Sequence, residues 1–139
     1  MFSTPILSNG GTTRGLPISC FLNYVPDSRS GLSAHYDENI WLASSGGGIG
    51  GFWGDVRSNG IPTTHGSRST GSIPFMHVVE SQMLAFNQGT TRRGSYAAYL
   101  DVSHPEIEEF INMRKESGGD INRKCLNLNN GINITNAFL

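Results

Sequence analysis

Cysteine is scarce in this chain: Cys20 and Cys125 are the only two in 139 residues. They form no CxxC pair, and His35, His65, His77 and His104 make neither an HExxH motif nor a Cys/His cluster along the sequence. No metal site is therefore expected, and in a reducing compartment both thiols should be free unless one is catalytic. Long apolar runs are missing as well; none approaches the ~20 residues that span a bilayer. The start, Met1-Phe2-Ser3-Thr4-Pro5, lacks the basic residues and apolar core of a signal peptide. Charge of one sign is absent too. Ten basic and eleven acidic side chains leave a net charge of −1 with no like-charged block. That argues against a nucleic-acid clamp, which needs a basic stripe, and against a polybasic membrane anchor. A cytoplasmic protein is the expectation. Hydrophobic residues, at 37%, are few for a self-contained globule, whereas glycine is plentiful at 18 residues. Each glycine adds unfolded-state entropy that packing must offset. The length suits one domain covering residues 1–139.

The order of elements says more. Residues 16–25 (LPISCFLNYV) are apolar and β-prone, and read as a buried strand. Residues 30–44 place Leu32, Tyr36, Ile40, Trp41 and Ala43 at helical spacing and end on the run Gly46 to Gly48. A short strand is expected over 49–56. The polar stretch 57–71 (RSNGIPTTHGSRSTG) is a loop long enough to suspect function or disorder. A helix over 74–86 follows, with Ser72 as cap, Pro74 in the first turn, and Phe75, Val78, Val79, Met83 and Phe86 as its apolar face. After a second polar loop, a strand over 95–102 leads to a helix announced by Ser103-His104-Pro105-Glu106, which has capping-box spacing. A last strand is expected over 125–135, with an irregularity at Asn129-Asn130-Gly131. Strands alternating with helices predict an α/β fold with a largely parallel sheet, each helix serving as a crossover. The final strand at the sheet edge hints that the sheet is incomplete.

Among motifs, Gly46, Gly48 and Gly51 satisfy GxGxxG, but they follow a helix and open a strand, the reverse of the dinucleotide-binding order. A phosphate-binding P-loop fails for want of GK[ST]. What remains is bare backbone against which a flat ligand or another chain can pack. Cys20 follows Ser19 in a strand, so the two side chains point to opposite faces. Read from these residues alone, both are packing groups, and a lone cysteine is most simply a small buried hydrophobe. Arg57, Arg92 and Arg93 read as solvated loop charge.

Several blocks in order change that reading. Thr4-Pro5-Ile6-Leu7-Ser8-Asn9 precedes Ile18-Ser19-Cys20-Phe21-Leu22; then come Gly47-Gly48-Ile49-Gly50 and Val56-Arg57-Ser58-Asn59-Gly60. Gly71-Ser72-Ile73-Pro74-Phe75, Asn87-Gln88-Gly89-Thr90-Thr91-Arg92-Arg93-Gly94 and Leu100-Asp101-Val102-Ser103-His104-Pro105-Glu106-Ile107 complete the set. Over nearly its whole length the chain resembles the start of the catalytic barrel in ribonucleotide reductase large subunits. The resemblance implies a ten-stranded α/β barrel of two half-barrels, of which this chain would be most of the first, a βαβαβαβ unit of mostly parallel strands that does not close.

It also implies roles. Cys20 would be one of two redox thiols, protonating the leaving 2′-hydroxyl and ending as half of a disulfide. Thr4 and Ser19 would hydrogen-bond the ribonucleotide substrate, and Gly47 and Gly48 would let it approach the backbone. Asp27 and Ser28 would hold a nucleoside triphosphate effector, with Arg57 on its phosphates, where a planar guanidinium donates paired hydrogen bonds. Gln88 and Arg92, on the second polar loop, would carry the effector signal to the substrate base; Thr90-Thr91-Arg92-Arg93 stand where many relatives have more glycine. Helices 30–44 and 74–86 would form a homodimer contact. No covalently bound cofactor is implied. The radical cysteine belongs to the second half-barrel, so activity would need complementing large-subunit chains, and a radical supplied by a small subunit or a cofactor. Cys125 matches no family thiol. The chain would then be a natural piece of a split enzyme, a remnant, or a deliberately cut piece. Two other readings stay open: a non-catalytic nucleotide-binding or subunit-interaction module derived from the reductase, and an unrelated small α/β domain with Cys20 in its core.

Overall fold

The structure is a computed structural model and describes residues 1–13, 15–86 and 94–139. Its elements are α1 (Thr4–Asn9), β1 (Cys20–Tyr24), α2 (Arg29–Ser44), β2 (Gly48–Phe52), α3 (Ile73–Ala85), β3 (Ser95–Asp101), α4 (Ile107–Asn112) and β4 (Asn129–Asn133), with a 3-10 turn at Ile121–Arg123. The four strands form one parallel sheet in the order β1-β2-β3-β4. Each strand thus pairs with the next one in the chain, across a helix.

Period-two alternation gives this sheet two unlike faces. Ile49, Tyr96, Ala98 and Leu100 point one way and are buried with Met76, Val79 and Met83 of α3, Ala43 of α2 and Phe110 of α4. On the other face, in register, lie Cys20, Leu22 and Tyr24 of β1, Gly48, Gly50 and Phe52 of β2, and Ser95, Ala97 and Tyr99 of β3. That face is open: Leu22 is 86% exposed. A sheet with helices on one side only is what a barrel wall requires, so the α/β half-barrel expectation stands.

Several local expectations are corrected. The first strand begins at Cys20 and not at residue 16, because Leu16 and Ile18 find no cover and stay exposed. The second ends at Phe52, where the chain turns and Val56 N donates to Trp53 O. Ser103 and Glu106 do not form a capping box. Helix α4 starts at Ile107, and the Glu106 carboxylate is turned instead toward Ser72. Ser72 does stand at the N-cap position of α3, but its hydroxyl goes to Glu106 and makes no cap bond to the helix. The last strand is confined to 129–133, so the three residues taken for an irregularity open the strand, and Cys125 sits in the connection before it.

The helical face over 30–44 also differs. The buried residues of α2 are His35, Asn39 and Ala43, one stripe at i, i+4 and i+8, while Trp41 is 70% exposed. The polar pair is buried because the sheet supplies partners. Asn23 Nδ2 donates to Asn39 Oδ1 at 2.8 Å. Trp53 Nε1 donates to Tyr96 Oη at 2.9 Å, leaving the phenol hydrogen for His35 Nε2, also at 2.9 Å.

Burial pushes His35 down from its ordinary value near 6.5 to about 4. Because the folded value lies below the unfolded one, the unfolded chain takes up this proton first as pH falls. The stability His35 permits is full above pH ~6.5 and is lost as pH drops toward about 4. Urea unfolding at pH 7 and pH 4.5 is expected to differ by roughly 2–3 kcal/mol on this account. His35→Gln should remove most of that difference; an unchanged difference would place the acid sensitivity elsewhere.

Candidate functional site

Cys20 is the first residue of β1, exposed, on the open face of the sheet. Across the sheet its register partners are Gly48 and then Ser95. Gly48 N donates to Ser19 O at 2.7 Å, which pins the thiol-bearing end of β1 to β2. Ser19 Oγ lies 3.6 Å from Cys20 Sγ. Gly48 leaves the backbone beside the thiol open, since a Cβ there would lie in ordinary contact, 3.4 Å from Ser19 O and from Ser95 Oγ. Gly47 is different. It is buried, and a Cβ would stand 2.6 Å from Cδ2 of Phe21. Its missing side chain makes room for the Phe21 ring. Thr4 opens α1, exposed, its carbonyl accepting from Ser8 Oγ; no hydrogen bond joins it to Ser19 or Cys20 among the described residues. Ser95, missed in the sequence because a serine opening a strand carries no signal, joins this edge through register.

The other predicted group lies past the opposite end of β1. Five residues of strand span about 17 Å, so Cys20 and Asp27 mark two separate places on one rigid element. Asp27, Ser28 and Arg57 line a cavity of about 630 Å³ together with Arg29, Thr63, His65, Arg68, Thr70 and an apolar floor of Leu32, Val56 and Phe75. Arg57 Nε reaches both carboxylate oxygens of Asp27, at 2.9 and 3.1 Å, and Arg57 N donates to Oδ1 at 3.2 Å. Ser28 caps α2 by accepting from Gly31 N. The positive end of that 16-residue helix therefore borders the cavity.

The stretch 57–71, expected as a loop, is a small hairpin. Gly60 N donates to Ser69 O, Ser69 N to Ile61 O and Thr63 N to Ser67 O, closed by a bridge between Pro62 and Arg68. Its turn needs Gly66, which adopts φ +79°. The pairing brings Arg68 back to the cavity Arg57 enters, with Arg68 Nη1 donating to Gly60 O at 2.9 Å. Three arginines against one aspartate give the cavity wall a net positive charge above its apolar floor. Gln88 and Arg92 lie outside the described residues.

Folding also gathers a group that the sequence keeps far apart. His77, Glu80 and Cys125 bring potential ligand atoms within 4.8 Å of one another. The His77 and Glu80 groups are already engaged: His77 Nδ1 donates to Lys124 O at 2.7 Å, and Glu80 accepts from Asn127 N. Burial, with the Glu80 charge beside it, pushes the Cys125 thiol up to about 12, so it is no nucleophile at neutral pH. Among the described residues no helix is long and apolar enough to cross a membrane.

Comparison with known proteins agrees with this geometry. Residues 18–139 match the family described as ribonucleotide reductase, barrel domain. A Frog virus 3 (isolate Goorha) protein, provisionally named a ribonucleoside-diphosphate reductase large subunit, is 52% identical over 99% of this chain and 23% of its own length. The large subunit of Invertebrate iridescent virus 3 is 47% identical over 99% of this chain and 20% of its own length. The class Id ribonucleotide reductase alpha subunit of Actinobacillus ureae superposes with a TM-score of 0.79 and 29% identity, over 98% of this chain and 24% of that one. The chain thus spans about a fifth of the curated relatives it matches. The chain belongs to the ribonucleotide reductase barrel-domain family.

Proposed function

We propose that this chain supplies the reducing thiol and the effector cavity for reduction of ribonucleotides to deoxyribonucleotides, acting with chains that carry the rest of the barrel. The single observation that carries the reading is the exposed Cys20 on the open sheet face, beside Gly48 and Ser95, at the opposite end of β1 from an arginine-lined cavity. A ribonucleotide lying along that edge would meet Ser19 and Thr4 as hydrogen-bond partners and the bare backbone of Gly48. Cys20 would give its proton to the departing 2′-hydroxyl, which leaves as water. With a second thiol from a complementing chain it would supply two electrons, the pair of thiols becoming a disulfide as the 2′-carbon is reduced. The radical that opens the reaction would come from a partner small subunit or a cofactor outside this chain.

The cavity would take a nucleoside triphosphate. Asp27 and Ser28 would face its sugar and base, and Arg57 and Arg68 its phosphates, at the positive end of α2. Gln88 and Arg92 are proposed as the link between that effector and the substrate base. The helices α2 and α3 pack together through Tyr36 Oη to Phe75 O and Gln82 Nε2 to Tyr36 O, and leave Trp41 and Leu84 exposed. We assign these helices to a contact between two copies, with the effector cavity near it.

Calorimetric titration with dTTP tests the cavity. Arg57→Ala is expected to weaken binding about thirtyfold, as loss of a charge-assisted contact to phosphate implies. Sedimentation of the same samples should show association of two copies. Equal affinity in the variant would remove Arg57 from the site, and a monomer at every concentration would remove the dimer.

A further inference from the structure

The hairpin 57–71 carries Arg57, Thr63 and Arg68 into the cavity, yet most of its residues are exposed and none of its side chains enters the core. Something other than apolar packing must fix its direction. Its two ends supply the answer. At the start, His104 Nε2 lies 3.0 Å from Val56 O, the carbonyl just before Arg57. His104 Nδ1 accepts from Glu106 N at 3.1 Å, which places the ring proton on Nε2 and makes it a donor to that carbonyl.

At the far end, one oxygen of the Glu106 carboxylate accepts from both Ser72 N and Ser72 Oγ, each at 3.0 Å. The carboxylate fits there because Gly71, at φ +87°, has no side chain; a Cβ would lie 2.8 Å from Glu106 Cδ. Arg123 adds the third hold. Its Nη1 donates to Thr70 O at 2.6 Å while Nη2 faces Glu106 at 3.4 Å, and Glu109 grips the same guanidinium. His104, Glu106 and Ser72 are all buried. A buried carboxylate is tolerated only with such partners, and each bond is stronger for being shielded from water.

We propose that His104, Glu106 and Arg123 form a clamp that closes on both ends of the hairpin and positions Arg57 and Arg68 for the triphosphate. These are positioning residues: they touch the chain at 56, 70 and 72, and none of the three lines the cavity itself. The inference rests on reading the cavity as a triphosphate site. It adds that the geometry of that site is set by a part of the chain more than thirty residues downstream, next to α4.

The test uses the 139-residue chain with dTTP as probe, and the variants His104→Ala, Arg123→Ala and His104→Gln. Glutamine keeps a donor that can reach Val56 O. In samples that melt cooperatively, each alanine variant is expected to weaken dTTP binding about tenfold, the effect of one net hydrogen bond at the base of the hairpin. His104→Gln should restore most of the affinity. A purely structural role would lower the melting temperature and leave the affinity of the folded molecules unchanged, and that result overturns the clamp. Should His104→Ala not fold, Arg123→Ala decides, since its side chain is partly exposed and outside the core. Hydrogen exchange separates this proposal from the effector reading. If the parent chain binds no dTTP, the effector reading fails. Faster exchange of the Gly60, Thr63 and Ser69 amides in the variants would still support the clamp, and unchanged exchange would refute it.

Discussion

Cys20→Ser is expected to abolish nucleotide reduction in a mixture of this chain with one carrying the radical cysteine, lowering turnover by about a thousandfold or more. The reason is electronic. A serine hydroxyl can donate a hydrogen bond, but it cannot join a second thiol in a disulfide, so the two electrons that reduce the 2′-carbon have no source. The substitution is close to isosteric, and position 20 is exposed at the start of a strand whose fixed point is the Gly48 to Ser19 backbone bond. The melting temperature and dTTP affinity should therefore stay as they are. Multiple-turnover assays of deoxynucleotide formation check this, and turnover surviving in the variant would take Cys20 out of the mechanism.

The second large effect concerns folding. Gly51 lies in β2 beneath the ring of Tyr96, and a Cβ there would fall 2.6 Å from the ring's Cζ and 3.1 Å from Asn23 Oδ1. Tyr96 cannot swing aside. Its hydroxyl is held by Trp53 and His35, and all three rings are buried. Burial also raises the Tyr96 phenol well above its ordinary range, so at neutral pH the hydroxyl keeps its proton. Gly51→Ala is expected to destabilise the chain by roughly 3 kcal/mol or more, the upper end for overpacking a core. Gly48→Ala is the matched control: its Cβ meets nothing nearer than 3.4 Å, so its cost should stay under about 1 kcal/mol. Urea unfolding of the two variants gives the comparison. Equal, small losses would mean that the Trp53-Tyr96-His35 group is looser than its hydrogen bonds imply.

That group also marks where reading the sequence succeeds and where it stops. The alternation of β-prone runs with amphipathic runs located three helices and four strands in the right order, and the bounds of α2, α3 and β3 fell within a residue or two. Apolar periodicity then misassigned the inner side of α2, because it assigns histidine and asparagine to solvent. His35 and Asn39 are inside where Tyr96 and Asn23, far away in the chain, give each a hydrogen-bond partner. The same blindness to distant partners explains Ser103-His104-Pro105-Glu106. Its spacing fits a local cap, but Glu106 finds a better acceptor role across the fold, at Ser72.

Strand ends went wrong for a simpler reason. Leu16, Ile18 and Leu126 look like strand residues by composition, and among the described residues no strand pairs with them. At the candidate sites, the family motifs picked out Cys20, Asp27 and Arg57 by position, which the fold then set at the two ends of one strand. Arg68 and Ser95 stayed hidden, since each arrives by pairing, one through the hairpin and the other through sheet register.

The neighbour-to-neighbour strand order has a consequence for how the molecule comes into being. Every strand finds its mate in the segment made just before it, so the sheet can be laid down as the polypeptide emerges, first β1 with β2, then β3, then β4. Among the described strands, none of those pairings waits for a strand made later than the next one, which shortens the time that sticky edges spend exposed during synthesis.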